Sequence, residues 1–135
     1  MNAKALTPIL NVSNFATSVE WFEKFGWTFS WGWGDDSTFG GVCSGECQIF
    51  LCQDAQGGRG KGSNIRTFGE SESEDKGVWM SIWVDDVDEV YRRCIEQGLD
   101  ITFPPTDMDW NVREMHVRHP DGHVFRVSRS FGEAD

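Results

Sequence analysis

Polar and apolar residues alternate in several short stretches of the chain, as they do in strands that bury one face. Two other stretches place apolar residues three and four positions apart, as amphipathic helices do. The alternation predicts strands over residues 6–12, 27–33, 38–43, 47–53, 78–84, 100–103, 112–118 and 123–128. The helical spacing predicts helices over residues 15–25 and 87–97. The predicted order of elements is therefore βαβββ, repeated once.

A sequence repeat relates the two halves. In each half a valine and two capping residues precede the helix, and a glycine ends it fourteen positions after the valine: Val12 and Gly26, then Val84 and Gly98. Two equal modules each expose one sheet face, so pairing them encloses a concave surface. The expected fold class is α+β, with two βαβββ modules that form a cupped mixed sheet.

The same pattern sets the expected domain organisation, which is a single domain over residues 1–135. The first module covers about residues 1–54 and the second about 78–135. Between them, residues from about 55 to 77 are polar and rich in glycine. Such a composition is typical of a linker or of a flap over a cleft, and both interpretations stay open.

The last two predicted strands are joined by a Pro-Asp-Gly turn at residues 120–122, which predicts an antiparallel hairpin. On its first strand, Met115 and Val117 point to one face, which is expected to be buried. Glu114 and His116 point to the opposite face. That face therefore carries ionisable groups.

Glu114 and His116 are candidates for proton transfer, since a carboxylate beside an imidazole can act as an acid and base pair. A polar binding role or a structural role is the alternative for both. His119 and His123 lie on either side of the turn and are expected to be exposed.

Composition narrows the class of partner. The formal charge is −10 and the pI about 4.6, which argues against nucleic acid and favours a neutral or cationic small ligand. No apolar run could span a membrane and no signal-peptide pattern is present, so a cytoplasmic location is expected. The four cysteines are interpreted as reduced thiols. Seven tryptophans exceed ordinary packing needs, so some are expected to line a pocket.

Several segments carry a family resemblance. They are the glycine-containing stretch 36–42, residues 47–51, residues 82–91, residues 109–114 and the closing hairpin with its Arg-Glu-x-x-x-Arg-x-Pro-Asp-Gly-His sequence. Together they resemble the vicinal oxygen chelate superfamily, which includes glyoxalase I, extradiol dioxygenases and bleomycin-resistance proteins. The chain is most similar to the bleomycin-resistance proteins. The resemblance implies a homodimer and a ligand cleft.

The resemblance also bears on metal binding. Metal-dependent members place one His, Glu or Gln on each of four strands, and these places fall here at Thr7, Phe50, Trp79 and Arg126. None of these side chains suits a divalent metal, and Arg126 would repel the ion. We therefore expect neither a metal nor another cofactor.

If this mapping holds, period-two spacing directs one face of the strand at 78–84 into the cleft. The expected ligand-binding residues are Trp79, Ser81, Trp83, Phe50, Phe39, Trp33, Trp110 and Asp109. Trp110 follows a Pro-Pro loop and resembles the family's ligand-stacking tryptophan. For each aromatic residue the alternative is ordinary packing in the core or at a strand edge.

These expectations give two hypotheses for function. In the first, the protein confers antibiotic resistance by sequestering a planar, cationic, drug-like molecule without changing it. In the second, it is a metal-independent isomerase or lyase acting on a small carbonyl compound, with His116 and Glu114 as acid and base.

Overall fold

The computed structural model describes residues 1–54 and 77–132. It divides into two compact units, Met1–Glu74 and Asp75–Asp135. The two units have the same order of elements, so the predicted pair of βαβββ modules is confirmed. The predicted linker or flap lies almost entirely outside the described residues. No helix among the residues described is long and apolar enough to cross a bilayer.

Module 1 is a four-stranded mixed sheet with one helix. Its elements are β1 (Ile9–Val12), α1 (Phe15–Phe25), β2 (Thr28–Gly32), β3 (Phe39–Ser44) and β4 (Cys47–Gln53). The strand order is β1-β4-β3-β2, with β1 parallel to β4 and the other neighbours antiparallel. The Asn14 side chain caps α1 by accepting from the Thr17 N–H at 2.9 Å, and Gly26 ends the helix at φ 105°.

Module 2 repeats this arrangement. Its elements are β5 (Trp79–Trp83), α2 (Val87–Glu96), β6 (Asp100–Met108), β7 (Val112–Arg118) and β8 (Val124–Ser130). The strand order is β5-β8-β7-β6, with β5 parallel to β8. Asp86 caps α2 by accepting from the Glu89 N–H at 3.1 Å.

The buried side chains follow the predicted alternation. In module 2, Met115, Val117, Phe125 and Val127 are at most 1% exposed, and α2 packs on the same sheet and buries Cys94. The intervening positions of β7 and β8 therefore face away from α2. We call this surface of the sheet the open face of module 2.

The third strand of module 2 is longer than the sequence predicts. The predicted strand ended at residue 103, before a Pro-Pro loop, but β6 continues through Pro104 and Pro105 to Met108. Proline lacks a backbone donor, and an edge strand needs only one side of its backbone for pairing. β6 lies at the edge of its sheet, and its pairing with β7 shifts register on both sides of Phe103, which accommodates the prolines.

The expected exposure of His119 and His123 is wrong. The two residues are 1% and 2% exposed, and their ring centroids lie 5.4 Å apart. Each ring accepts one backbone hydrogen bond. His119 Nδ1 accepts from the Asp121 N–H and His123 Nδ1 accepts from the Val78 N–H, both at 3.0 Å. Turn residues are usually exposed, but these imidazoles replace water as hydrogen-bond acceptors and are buried for that reason.

Candidate functional site

Glu114 is the centre of a hydrogen-bonded network on the open face of module 2. It is 3% exposed and lies on β7 between Arg113, which is partly exposed, and the buried Met115. Its Oε1 accepts from Arg126 Nε at 2.9 Å, from Arg126 Nη2 at 2.8 Å and from Trp110 Nε1 at 3.3 Å. Its Oε2 lies 2.8 Å from Nε2 of His116. A buried carboxylate needs such donors because burial alone would disfavour its charge.

The neighbours of Glu114 keep it ionised. The hydrogen bond from Arg126 is the main cause that holds the pKa of this carboxyl below its usual value, and burial opposes it. The His116 and Trp110 hydrogen bonds act in the same direction as Arg126. Because the carboxylate is an acceptor, it fixes the tautomer of His116 with the proton on Nε2.

Aromatic rings surround His116. The imidazole centroid lies 5.1 Å from the Phe103 ring and 6.2 Å from the Trp79 ring. With Nε2 bound to Glu114, Nδ1 remains as a lone-pair acceptor, and it makes no hydrogen bond within the part of the chain that the structure describes. The imidazole side chain is 24% exposed, so a ligand can reach it.

Arg126 connects the network to β5. Its Nη1 donates to Ser81 Oγ at 3.1 Å, and its Cζ lies 5.8 Å from the ring centroid of Trp83. This distance is within the range of a cation–π contact. The guanidinium therefore covers part of one indole face, while its Nε and Nη2 donate hydrogen bonds to Glu114.

The two indoles of β5 are the largest exposed apolar groups of this face. Trp79 is 67% and Trp83 is 59% exposed. As the sequence predicts, they share one face of β5 with Ser81, because the register pairs Ser81 with Arg126 and Trp83 with Ser128. Core packing, the alternative interpretation, is wrong for both tryptophans.

Trp110 and Asp109 lie between β6 and β7. Trp110 is 57% exposed, and its indole N–H is the third donor to Glu114. Asp109 precedes it and is exposed. The sequence predicted that Trp110 follows a Pro-Pro loop, but the residue lies in a tight turn after β6, and the two prolines lie inside that strand.

In module 1 the predicted liners Phe39 and Phe50 contact each other on the sheet face opposite α1. Their ring centroids are 5.8 Å apart, and Trp31 completes the cluster at 5.5 Å and 5.1 Å. Trp31 lies over Gly41, where an added Cβ would come within 2.6 Å of the indole nitrogen. Trp33, the remaining predicted liner, is 73% exposed beyond the end of β2.

A separate groove of about 610 Å³ lies beside α1. Asp35, Asp36 and Glu23 line it together with the apolar side chains of Val19 and Phe29. The two aspartates lie between β2 and β3, on the α1 side of the first sheet.

Sequence reasoning missed three contributors to the site. Arg126, Phe103 and Ser128 were not among the predicted site residues, and Arg126 was discussed as an unsuitable metal ligand. The sequence does indicate the position of Arg126. Pairing residues outward from the Pro-Asp-Gly turn places Arg126 directly opposite His116, which is the observed register. Phe103 also pairs with His116, but the shifts in β6 hide this pairing from a simple count.

The four residues that the sequence resemblance assigns to the superfamily's metal places do not suit a divalent metal. At one place Arg126 carries a positive charge. At two others Phe50 and Trp79 have aromatic rings, which lack the imidazole, carboxylate or thiolate atoms that bind such metals. Thr7 supplies at most one weak hydroxyl donor. Among residues 1–54 and 77–132 there is no cluster of three or more His, Cys, Asp or Glu side chains. No step of a mechanism is therefore assigned to a metal.

A family model agrees with this architecture. The model of the Glyoxalase/Bleomycin resistance protein/Dioxygenase superfamily matches residues 5–127. The chain belongs to this superfamily. The match covers both modules and confirms the resemblance that the hairpin and helix segments indicate.

Solved structures of the superfamily fold are similar over almost the whole chain. TioX from Micromonospora sp. ML1 is 21% identical with a TM-score of 0.73, covering 95% of this chain and 99% of that one. A superfamily member from Sphaerobacter thermophilus DSM 20745 is 20% identical with a TM-score of 0.72, over 96% and 98%. A bleomycin-binding protein in complex with bleomycin is 16% identical with a TM-score of 0.66, over 95% and 99%. No curated protein matches the sequence.

Proposed function

We propose that this superfamily member binds a planar aromatic small molecule on the open face of module 2 and sequesters it unchanged. The observation that carries the proposal is the pair of largely exposed indoles, Trp79 and Trp83, on a strand that borders the hydrogen-bonded network of Glu114 and Arg126. Soluble proteins seldom leave such large apolar groups in water together unless they bind something. Indoles on one strand face offer flat surfaces on which a ring can stack.

The solved complex of a bleomycin-binding protein supports a binding role. That protein shares the fold at 16% identity, so its ligand does not transfer to this chain directly. What it supports is the class of function, which is capture of a drug-like molecule in the manner of a resistance protein. Homodimerisation and a cytoplasmic location belong to the same proposal.

The proposed ligand has a cationic group. The chain carries a formal charge of −10, which attracts cations from solution. Glu114 cannot receive that group, because Arg126 already neutralises it. Asp109 is exposed and directly precedes the exposed indole of Trp110, and we propose it as the cation's partner.

Tryptophan replacement tests the aromatic surface. With a ligand found by thermal-shift screening of bleomycin-type glycopeptides and other aromatic antibiotics, Trp79→Ala and Trp83→Ala are each expected to weaken binding about fivefold to tenfold, since stacking contributes on the order of 1 kcal/mol. Fluorescence titration measures the affinity. The matched control is Ile95→Ala, which removes an exposed apolar side chain from α2 and should leave the affinity unchanged. Parent-like binding by both tryptophan variants would reject the aromatic surface.

The charge of the ligand is tested in the same titration. Affinity for a cationic ligand is expected to fall as salt is raised from low to about 0.5 M, because screening weakens attraction between exposed charges. Affinity for a neutral aromatic analogue should change little.

Metal independence gives another expected result. Purified protein is expected to contain far less than one equivalent of Ni, Zn, Fe or Mn, because the four superfamily metal places lack suitable donors. Elemental analysis measures the content, and binding is measured before and after chelation. About one tightly bound metal per chain, lost together with ligand binding on chelation, would contradict this.

A metal-independent enzyme is the second candidate function. The observation that favours it is the 2.8 Å contact between His116 Nε2 and Glu114 Oε2, which orients an imidazole as acid–base groups are oriented. His116→Ala separates the two functions. An enzyme should lose turnover of a small carbonyl substrate by at least about a hundredfold. A sequestering protein should return its ligand unchanged and bind it at most about tenfold more weakly.

A further inference from the structure

Glu114 fixes two neighbouring groups and leaves one polar group of each outside its own hydrogen bonds. Arg126 gives Nε and Nη2 to the carboxylate, and only Nη1 reaches the exposed hydroxyl of Ser81. His116 gives Nε2 to the carboxylate and keeps Nδ1 as an acceptor without a hydrogen bond among the described residues. The open face therefore presents one donor and one acceptor in fixed orientations.

These two groups belong to residues that face each other on neighbouring strands. Arg126 and His116 are direct partners in the register of β8 and β7, so their Cβ atoms are about 5 Å apart on the same face. Rings enclose them: Trp79 and Phe103 on the side of His116, and Trp83 beside the guanidinium. A flat molecule that stacks on these rings would bring its polar edge to both groups.

A second polar group beside them also lacks a protein partner. Ser128 is completely buried on the same face, between Trp83 of β5 and Glu114 of β7 in the register. Its hydroxyl makes no hydrogen bond within residues 1–54 and 77–132. A buried polar atom without a partner costs free energy, and a ligand or a water at this point would recover it.

Resting on the proposed function, we propose that the ligand is a flat ring system whose edge carries a carbonyl or carboxylate oxygen beside an N–H or O–H group. The oxygen accepts from Arg126 Nη1, and the N–H or O–H donates to Nδ1 of His116. Lactams, cyclic imides and hydroxy-substituted aromatic acids belong to this chemical class.

The network also excludes some alternatives. A ligand ammonium placed at this point would meet the guanidinium of Arg126 and find no free carboxylate, because both oxygens of Glu114 are already hydrogen-bonded. A purely apolar ring would leave Nδ1 of His116 desolvated and unpaired, which is unfavourable. The cationic group of the ligand must therefore lie at another part of the molecule, in keeping with a position beside Asp109.

Three neutral probes test this edge directly. Quinolin-2(1H)-one has the carbonyl beside an N–H, its 1-methyl derivative lacks the N–H, and 2-methylquinoline lacks both. Affinities come from NMR titration of the ¹⁵N-labelled full chain, in which the indole N–H signals of Trp79 and Trp83 report the position of the ring. Quinolin-2(1H)-one is expected to bind about tenfold more tightly than either analogue.

Two variants assign the partners. His116→Phe should remove the preference for quinolin-2(1H)-one over its 1-methyl derivative, while the tryptophan signals still shift. Ser81→Ala removes the protein acceptor that competes for Arg126 Nη1, so it should bind quinolin-2(1H)-one at least as tightly as the parent. Weaker binding by Ser81→Ala would overturn the role of Arg126. The Ile95→Ala variant should match the parent throughout.

The outcomes separate this inference from the proposed function. Equal affinities for the three probes, with the Trp79 and Trp83 signals shifting, would overturn the donor–acceptor edge and leave the aromatic surface standing. Shifts confined to other tryptophans would overturn the inference and count against the proposed function as well. The same holds if no probe binds with a dissociation constant below ~1 mM.

Discussion

Glu114→Ala is expected to lower the free energy of unfolding by about 3 kcal/mol, at the lower end of the range for breaking a buried ion pair. The carboxylate is 3% exposed, and it is the acceptor for Arg126, His116 and Trp110. Removing it leaves the guanidinium, whose side chain is only 18% exposed, without its counter-charge. The smaller loss is expected because Arg126 keeps its hydrogen bond to Ser81 and some contact with solvent. Urea unfolding at pH 7.5 measures the change.

Matched variants show whether burial is the cause. Asp107→Ala breaks an ion pair of equal length, 2.8 Å to Arg113, on the other face of the same sheet. The Asp107 side chain is 65% exposed, so its loss should cost less than about 1 kcal/mol. Glu114→Gln keeps an oxygen for Arg126 and should fall between the two alanine variants. Similar losses for Glu114→Ala and Asp107→Ala would show that the network contributes no more than a surface pair.

Local patterns predicted the scaffold of this protein well. The alternation in β7 and β8 predicted the buried apolar face of Met115, Val117, Phe125 and Val127, and the cap and glycine signals placed both helices within a residue or two. These features depend on neighbours along the chain. A one-residue error in register would have put Met115 in solvent, so the hydrophobic pattern determines the register strongly.

The failures arose where tertiary context overrides local preference. A Pro-Pro pair normally marks a loop, yet Pro104 and Pro105 lie inside β6 because that strand is at the sheet edge. Histidines beside a turn are normally exposed, yet His119 and His123 are buried because they accept backbone hydrogen bonds. Neither edge position nor a long-range acceptor is visible in a short window of sequence.

The chemistry of the site was predicted only in part. The sequence placed Glu114 and His116 on one face of the hairpin, and Trp79 and Trp83 on one face of their strand. The convergence of three donors on one carboxylate depends on side-chain rotamers. The repeat adds a further point. Phe50 of β4 and Arg126 of β8 occupy equivalent strands, each parallel to the first strand of its module.

The two modules therefore share a scaffold and differ in the chemistry of the exposed sheet face. In module 1 the rings of Trp31, Phe39 and Phe50 contact one another and leave no charge at the centre. In module 2 the corresponding region holds Arg126 and Glu114. Repetition of the hydrophobic pattern determines the fold of each half, whereas the residues on the other face are free to diverge.

Acid is expected to destabilise the protein through His119 well before it affects Glu114. Burial, and then the nearby His123, lower the pKa of His119 from 6.5 to about 4. The unfolded chain therefore binds a proton below pH 6.5 that the folded chain does not bind until about pH 4. Stability is full above pH 6.5 and falls as pH decreases, by up to about 1.4 kcal/mol for each pH unit.

Glu114 acts in a different pH range. Its pKa is lowered below the usual 4.5, so its stabilising contribution is complete above pH 4.5 and is lost only below it. The decline between pH 6.5 and 4.5 can thus be assigned to a buried histidine. Asp121 is the acidic neighbour of His119, with Oδ2 3.9 Å from Nδ1, and it offsets only part of the effect of burial.

Urea unfolding at pH 7.5, 6.5, 5.5 and 4.5 measures this decline. His119→Asn keeps a side-chain acceptor for the Asp121 N–H but cannot be protonated, so its stability should change little over that range. It is expected to be less stable than the parent at pH 7.5, because the smaller side chain leaves a cavity. His116→Asn is the control, because it replaces a histidine of the open face and leaves the buried pair at the turn intact. A flat profile in His116→Asn together with a parent-like slope in His119→Asn would assign the acid sensitivity to the site and not to the turn.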